Sequence, residues 1–273
     1  MMRPLLALLL VLAPWPALAA STFSPDVTDL WWNSAESGWG VNMIQQGNTL
    51  FTTFFAYGPD GRPRWYVAPD MRGGSAPSDQ PMFFNGPLYE TSGPPPSGTF
   101  DPNLVTHRQV GNATFMYGRP YGGSVTFTID GVVFSRNVRR QTWGLNDING
   151  TYNATRVTRP RTVGCPMPNV VTNESLGTMT VSQSTSGAVS ITTRRDAPTP
   201  LSCTYTGTYT QQGHMGDITG NYSCTDGGSG PFTLSEIEVS IQGFMSKLDA
   251  QLSGCHVYGN FGGTSLNPAQ QSE

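Results

Sequence analysis

Short runs in which apolar and polar side chains alternate follow one another through the first half of the chain. They lie near 28–32, 39–46, 49–57, 64–71, 82–91, 108–117, 123–129 and 132–142. Period-two alternation places every second side chain on one face, the mark of a strand with one buried side. Most of the runs are separated by turn signals: Gly47-Asn48, Gly58-Pro59-Asp60-Gly61, Gly118 to Gly123, and Asp130-Gly131. Two longer Gly/Pro/Ser loops interrupt the series, GGSAPSDQP at 73–81 and SGPPPSGTFDPN at 92–103. The second half keeps the rhythm with different residues, near 150–156, 177–183, 187–194, 201–211, 215–224, 230–238, 239–250 and 255–262. The pattern predicts an all-β protein of two consecutive antiparallel meander barrels or sandwiches, about eight strands each. An aromatic-rich β domain is expected over 20–145 and a disulfide-containing β domain over 146–273.

Hairpin arithmetic extends this to faces. A two-residue loop at Gly47-Asn48 pairs Gln46 with Thr49, and so sets Trp39 opposite Ala56, Val41 opposite Phe54, and Met43 opposite Thr52. A four-residue loop at 58–61 then pairs Tyr57 with Arg62 and Phe54 with Trp65. One face collects Trp39, Val41, Met43, Phe54, Trp65 and Val67, the composition of a core. On the other face Gly40 lies across from Phe55, whose ring is placed to cover the glycine backbone. In the second half, a turn at Gly213-His214 sets Tyr205 opposite Tyr222, Gly207 opposite Gly220, and Cys203 opposite Cys224.

The stretch WWNSAESGWG at 31–40 concentrates three tryptophans around one carboxylate. Trp39 is assigned to the core. Trp31 and Trp32 are neighbours, so in a strand they point to opposite faces and at least one must leave the core. The outward indole, with Asn33 and Glu36 on the polar turn beside it, forms a flat apolar platform flanked by an amide and an acceptor. Such a platform suits a sugar ring or an aromatic or proline-rich polymer segment. Trp31, Trp32, Asn33 and Glu36 are therefore the candidate binding residues. The competing reading is that Asn33 and Glu36 only bond the backbone of their own turn.

The chain begins with Arg3, an apolar run from Leu5 to Ala13, and a small-residue Ala17-Leu18-Ala19 pattern. This reads as a secretory signal peptide over 1–19, too short and Pro-interrupted for a spanning helix. The expected location is secreted or periplasmic, with no transmembrane segment. One lysine stands against fourteen arginines, and without Arg3 the chain carries 14 basic and 18 acidic groups. So slight an imbalance gives no electrostatic reason to expect nucleic acid. All four cysteines, Cys165, Cys203, Cys224 and Cys255, lie beyond residue 160 and in an exported chain imply two disulfides of open connectivity.

Catalytic signatures are absent. There is no G-x-S-x-G, no C-x-x-C and no H-E-x-x-H, and His107, His214 and His256 stand outside any triad setting. His214, in a hairpin turn, is read as solvated. Glu36 has no carboxylate partner selected by spacing. No catalytic residue, metal or cofactor is assigned.

The segment DLWWNSAESGWGVNMIQQGNTLFTTFFAYGPDGRPRWYV, with GPLYETSGPP, VRRQTWG, CTYTGTYTQQG and GNYSCTDGGSGPFTLSEIE, resembles a group of exported proteobacterial proteins of unassigned function. These carry a W-W-N-x-x-E-S-G-W-G-x-N block, an F-x-T-x-F-x-Y strand and a D-G-x-P-x-W turn. The resemblance implies the architecture and an exported location, and no activity. The block also occurs beside secreted hydrolase domains, which implies an accessory or binding role. A fainter similarity to avidin-like barrels does not extend to the long loops or to E-S-G-W-G, so biotin binding is not expected. The leading expectation is a secreted, non-catalytic binding protein for a glycan or other extracellular polymer. A barrel carrier of a small apolar ligand, and a hydrolase or peptidase-directed partner, are the alternatives.

Overall fold

A computed structural model describes residues 26–73, 82–118, 121–160, 171–252 and 254–267. The candidate leader at 1–19, most of the 73–81 loop and Cys165 lie outside them. Among the described residues, sixteen strands form two closed antiparallel barrels, one in each half of the sequence. The first comprises β1 (Asp29–Trp32), β2 (Gly40–Gln46), β3 (Thr49–Tyr57), β4 (Pro63–Gly73), β5 (Met82–Ser92), β6 (Thr106–Gly118), β7 (Gly122–Ile129) and β8 (Val132–Arg140). These follow one another around the wall, and β8 returns to pair with β1 through Trp31↔Arg140 and Trp32↔Arg139. The second comprises β9 (Gly150–Pro160), β10 (Thr172–Gln183), β11 (Ala188–Arg195), β12 (Leu201–Gln212), β13 (Met215–Cys224), β14 (Ser229–Ser240), β15 (Gly243–Leu252) and β16 (Cys255–Ser265). There β9 pairs with both β10 and β16 and closes the ring. Closure removes the unpaired edges that an open meander would expose.

Both interiors are filled by side chains from alternate positions. In the first barrel Trp31, Phe84, Phe115, Tyr117 and Phe127 are completely or almost completely buried, and Phe54 stacks on Phe127 with ring centroids 4.2 Å apart. In the second, Tyr152, Tyr205, Tyr222, Phe232, Phe244 and Phe261 form the corresponding cluster. Tyr205 stacks on Tyr222 across the β12–β13 hairpin at 5.5 Å.

The β2–β3 register agrees with the hairpin arithmetic: Gln46↔Thr49, Val41↔Phe54 and Met43↔Thr52 are paired. So does β12–β13, where Tyr205↔Tyr222, Gly207↔Gly220 and Cys203↔Cys224 face each other, and the two cysteines form a disulfide. Cys255 is also disulfide-bonded.

The β3–β4 hairpin departs by one residue. Gly58 N–H donates to Arg62 O at 2.9 Å, so the loop holds five residues, and Tyr57 pairs with Pro63, Phe54 with Tyr66 and Phe55 with Trp65. Asp60 Oδ1 accepts the Arg62 N–H at 3.1 Å, which satisfies that donor locally and withdraws it from the ladder. A one-residue slip turns a whole strand over. Tyr66 and Ala68 therefore face the core, while Trp65 points outward and is 59% exposed.

Candidate functional site

The opening block divides between structural roles and one outward ring. Trp31 is fully buried: its indole N–H donates to Val27 O at 2.9 Å, and its ring meets Phe115 edge-on at 5.1 Å. The guanidinium of Arg140 lies 4.8 Å from the same ring. Trp32 is the tryptophan that leaves the core. It is half-buried on the outer wall, with the Arg139 guanidinium 5.7 Å from its ring centre.

Asn33 and Glu36 serve the turn and the barrel seam. Asn33 Oδ1 accepts from Ala35 N at 2.9 Å, and Asn33 O accepts from Glu36 N at 3.0 Å. Glu36 takes the Trp39 indole N–H at 3.2 Å and the Arg136 Nε–H at 2.8 Å. The four-residue β1 ends at Trp32, whereas β8 runs on from Arg139 back to Val132 with no further β1 residues beside it. The Glu36–Arg136–Trp39 group occupies that seam. Trp39, expected in the core, is half-buried at the barrel mouth, where it meets Phe134 edge-on at 5.1 Å.

A charged chain crosses the same mouth. Arg64 pairs with Asp60 at 3.1 Å and with Glu90 at 3.4 Å, and Arg108 pairs with Glu90 at 2.8 Å and with Asp130 at 2.5 Å. The Asp60 carboxyl is held below its ordinary value by the Arg62 backbone N–H and by Arg64, and the Asp130 carboxyl by its hydrogen bonds from Arg108. Burial raises the Tyr66 phenol beneath them, assisted by the Glu90 charge.

Beside this chain the wall opens. The β4–β5 ladder ends at Tyr66↔Glu90, but β5–β6 pairing continues through Thr91↔His107 to Ser92↔Thr106, and β3–β4 pairing continues to Tyr57↔Pro63. Strand β4 thus separates from β5 at the rim, and the Arg64–Glu90 ion pair spans the gap. The resulting groove has a volume of about 480 Å³ and is lined by Trp65 on the β4 side, Thr91 and Ser92 on β5, and Thr106, His107 and Arg108 on β6. A second concavity of about 310 Å³, lined by Val67, Pro69, Tyr89, Thr91 and His107, continues it along the wall. The Tyr89 and His107 rings meet edge-on at 6.1 Å, and Phe55 lies 5.9 Å from Trp65.

None of Trp65, Tyr89 and His107 is among the binding residues that the sequence suggests. A four-residue loop before Trp65 would turn it inward; the five-residue loop turns it outward. Asp60 and Pro63, an Asx-turn former and a residue without an N–H to donate, are the signals that would have lengthened that loop.

The opposite end of the barrel faces the second one. Arg140 has a fully buried side chain and pairs with Asp29 at 2.8 Å. The same carboxylate accepts from His214 N at 3.1 Å and contacts His214 Nδ1 at 2.8 Å. His214, expected to be solvated, thus sits in the barrel–barrel contact. Burial raises the Asp29 carboxyl, but hydrogen bonds from His214 and Arg140 outweigh it and hold the group below its ordinary value. Nearby, Tyr121 Oη donates to Asp217 Oδ1, and burial pushes the Asp217 carboxyl up to about 6.

Among the described residues no group of His, Cys, Asp and Glu is arranged to hold a metal ion, and no helix is long and apolar enough to cross a membrane. Fold and site together define a tandem of closed β-barrels with an aromatic-lined groove on the outer wall of the first. No family model, characterised protein or solved structure matches the chain.

Proposed function

We propose that this chain is an exported, non-catalytic binding protein that recognises a glycan or another extracellular polymer through aromatic side chains on its outer wall. The observation that carries this reading is Trp65, which lies 59% exposed beside Phe55 on a barrel whose interior is occupied by its own side chains. Exposed indole loses about 25 cal/mol per Å² of apolar contact relative to burial, so a ligand that covers it gains that amount. A filled interior favours a wall site over carriage of an apolar ligand in the lumen. The Cys203–Cys224 disulfide suits an oxidising compartment.

The test is intrinsic tryptophan emission and sedimentation with insoluble polysaccharides, using the intact protein. Co-sedimentation or a saturable emission change with at least one polymer is expected. A panel of cell-wall and storage polysaccharides that leaves both readouts unchanged overturns the reading.

A further inference from the structure

We infer that the groove between β4 and β5 is the binding site and that its ligand is a neutral glycan chain; this rests on the binding function proposed above. Three observations converge. First, the groove is made by the fold, because it begins where the β4–β5 ladder stops at Tyr66↔Glu90 while the ladders on either side continue. A gap held open by two paired walls is present before any ligand arrives, which lowers the ordering cost of binding. Second, the two concavities share Thr91 and His107 and so form one path, with Trp65 at the rim and Tyr89 further down the wall. Their volumes of about 480 and 310 Å³ are those of ligand sites, and successive aromatic faces suit stacking of successive sugar rings. Third, the polar lining outside the Arg64–Glu90–Arg108 ion pairs consists of hydroxyls and an imidazole. Thr91 and His107 supply donors and acceptors suited to sugar hydroxyl groups, and Ser92 and Thr106, whose hydroxyls bond each other at 2.7 Å, keep a further donor and acceptor lone pairs for a ligand.

Charge selects the neutral class. Both cations at the groove are committed to carboxylates: Arg64 to Asp60 and Glu90, Arg108 to Glu90 and Asp130. Three carboxylates against two guanidiniums leave no surplus positive charge for an acidic polymer. Trp32 offers the rival site, but Arg139 lies over its ring, and Asn33 and Glu36 are occupied by their own turn and by Arg136.

The experiment is affinity electrophoresis and isothermal titration of the intact protein and three variants, Trp65→Ala, Tyr89→Ala and Trp32→Ala. The probes are a β-1,3-glucan, a β-1,4-xylan, a galactomannan and polygalacturonate. Trp65 is exposed, so its removal is expected to leave the thermal midpoint in place, and Trp65→Phe serves as a conservative control. The expected result is binding of a neutral polymer that falls at least tenfold in Trp65→Ala and Tyr89→Ala, is largely restored in Trp65→Phe, and is unchanged in Trp32→Ala. Binding that survives Trp65→Ala but is lost in Trp32→Ala overturns the groove and leaves the glycan-binding function standing. Binding of polygalacturonate alone overturns the neutral class. Failure of the parent protein to bind any probe removes the function on which the inference rests.

Discussion

At the scale of single residues, Trp31 and Trp32 are chemically identical neighbours with opposite fates. Trp31 fills the first barrel's core, and truncating a buried tryptophan costs about 3–5 kcal/mol. Trp31→Ala is therefore expected to destabilise strongly in chemical denaturation, whereas Trp32→Ala, half-buried on the outer wall, should cost clearly less than Trp31→Ala. Equal losses in the two variants would contradict the assigned faces. Gly40 has a different constraint, because a methyl group there would stand 2.5 Å from the Phe55 ring that covers it. Gly40→Ala must displace Phe55, at a cost of about 1–3 kcal/mol typical of overpacking. Replacing Phe55 with Leu in the same chain should recover part of that loss, a coupling that a double-mutant cycle measures.

At the scale of elements, the β12–β13 hairpin ties local geometry to stability. Gly207 and Gly220 face each other in mid-strand, and a Cβ on either would strike the backbone of the opposite strand. The disulfide at the end of this hairpin joins residues 21 apart in sequence. A loop of that length corresponds to about 3 kcal/mol in the chain-entropy account. Cys203→Ala/Cys224→Ala is expected to lower the unfolding free energy of the second barrel by about 3 kcal/mol, read as a lower denaturant midpoint, and to leave the first barrel's transition in place. A matching drop in both transitions would mean that the barrels unfold as one unit.

For the whole molecule, the contact between barrels joins groups of opposite pH response. Asp217, pushed up by burial to about 6, holds its proton more tightly folded than unfolded. Its contribution to stability is therefore greatest below about 4, declines as pH rises towards about 6, and is level beyond that. Asp29, held below its ordinary value by His214 and Arg140, acts in reverse: its contribution is present above the usual carboxylate range and is lost on acidification. Thermal melts from pH 4 to 7 should show Asp217→Asn reducing the decline, with Glu238, whose carboxyl is also raised by burial, supplying the remainder. Asp29→Asn should keep that decline but weaken the protein throughout, since it leaves the buried Arg140 without its carboxylate, at about 3–5 kcal/mol. A decline undiminished in Asp217→Asn would place its source elsewhere. Gly213 adds a steric condition, because at φ +64° a Cβ would fall on the Asp29 carboxylate and the Arg140 side chain.

Local alternation and turn chemistry were enough to read the all-β class, two consecutive meanders of about eight strands each, and the registers of β2–β3 and β12–β13, because a two-residue period and a tight turn leave little choice of pairing; that each meander closes into a barrel rather than a sandwich was decided by the tertiary structure. They also showed that one of Trp31 and Trp32 must leave the core. They did not show which one, since both faces of an isolated strand are equivalent until a barrel closes around one of them. Closure decided that Trp31 is enclosed. The Asx turn at Asp60 then lengthened one hairpin by a residue and turned Trp65 outward, and the parting of β4 from β5 gave that indole a groove. The pairings of Asp29 with His214 and of Glu36 with Arg136 join residues 185 and 100 positions apart, and no local pattern encodes a contact that only the closed and docked barrels bring together.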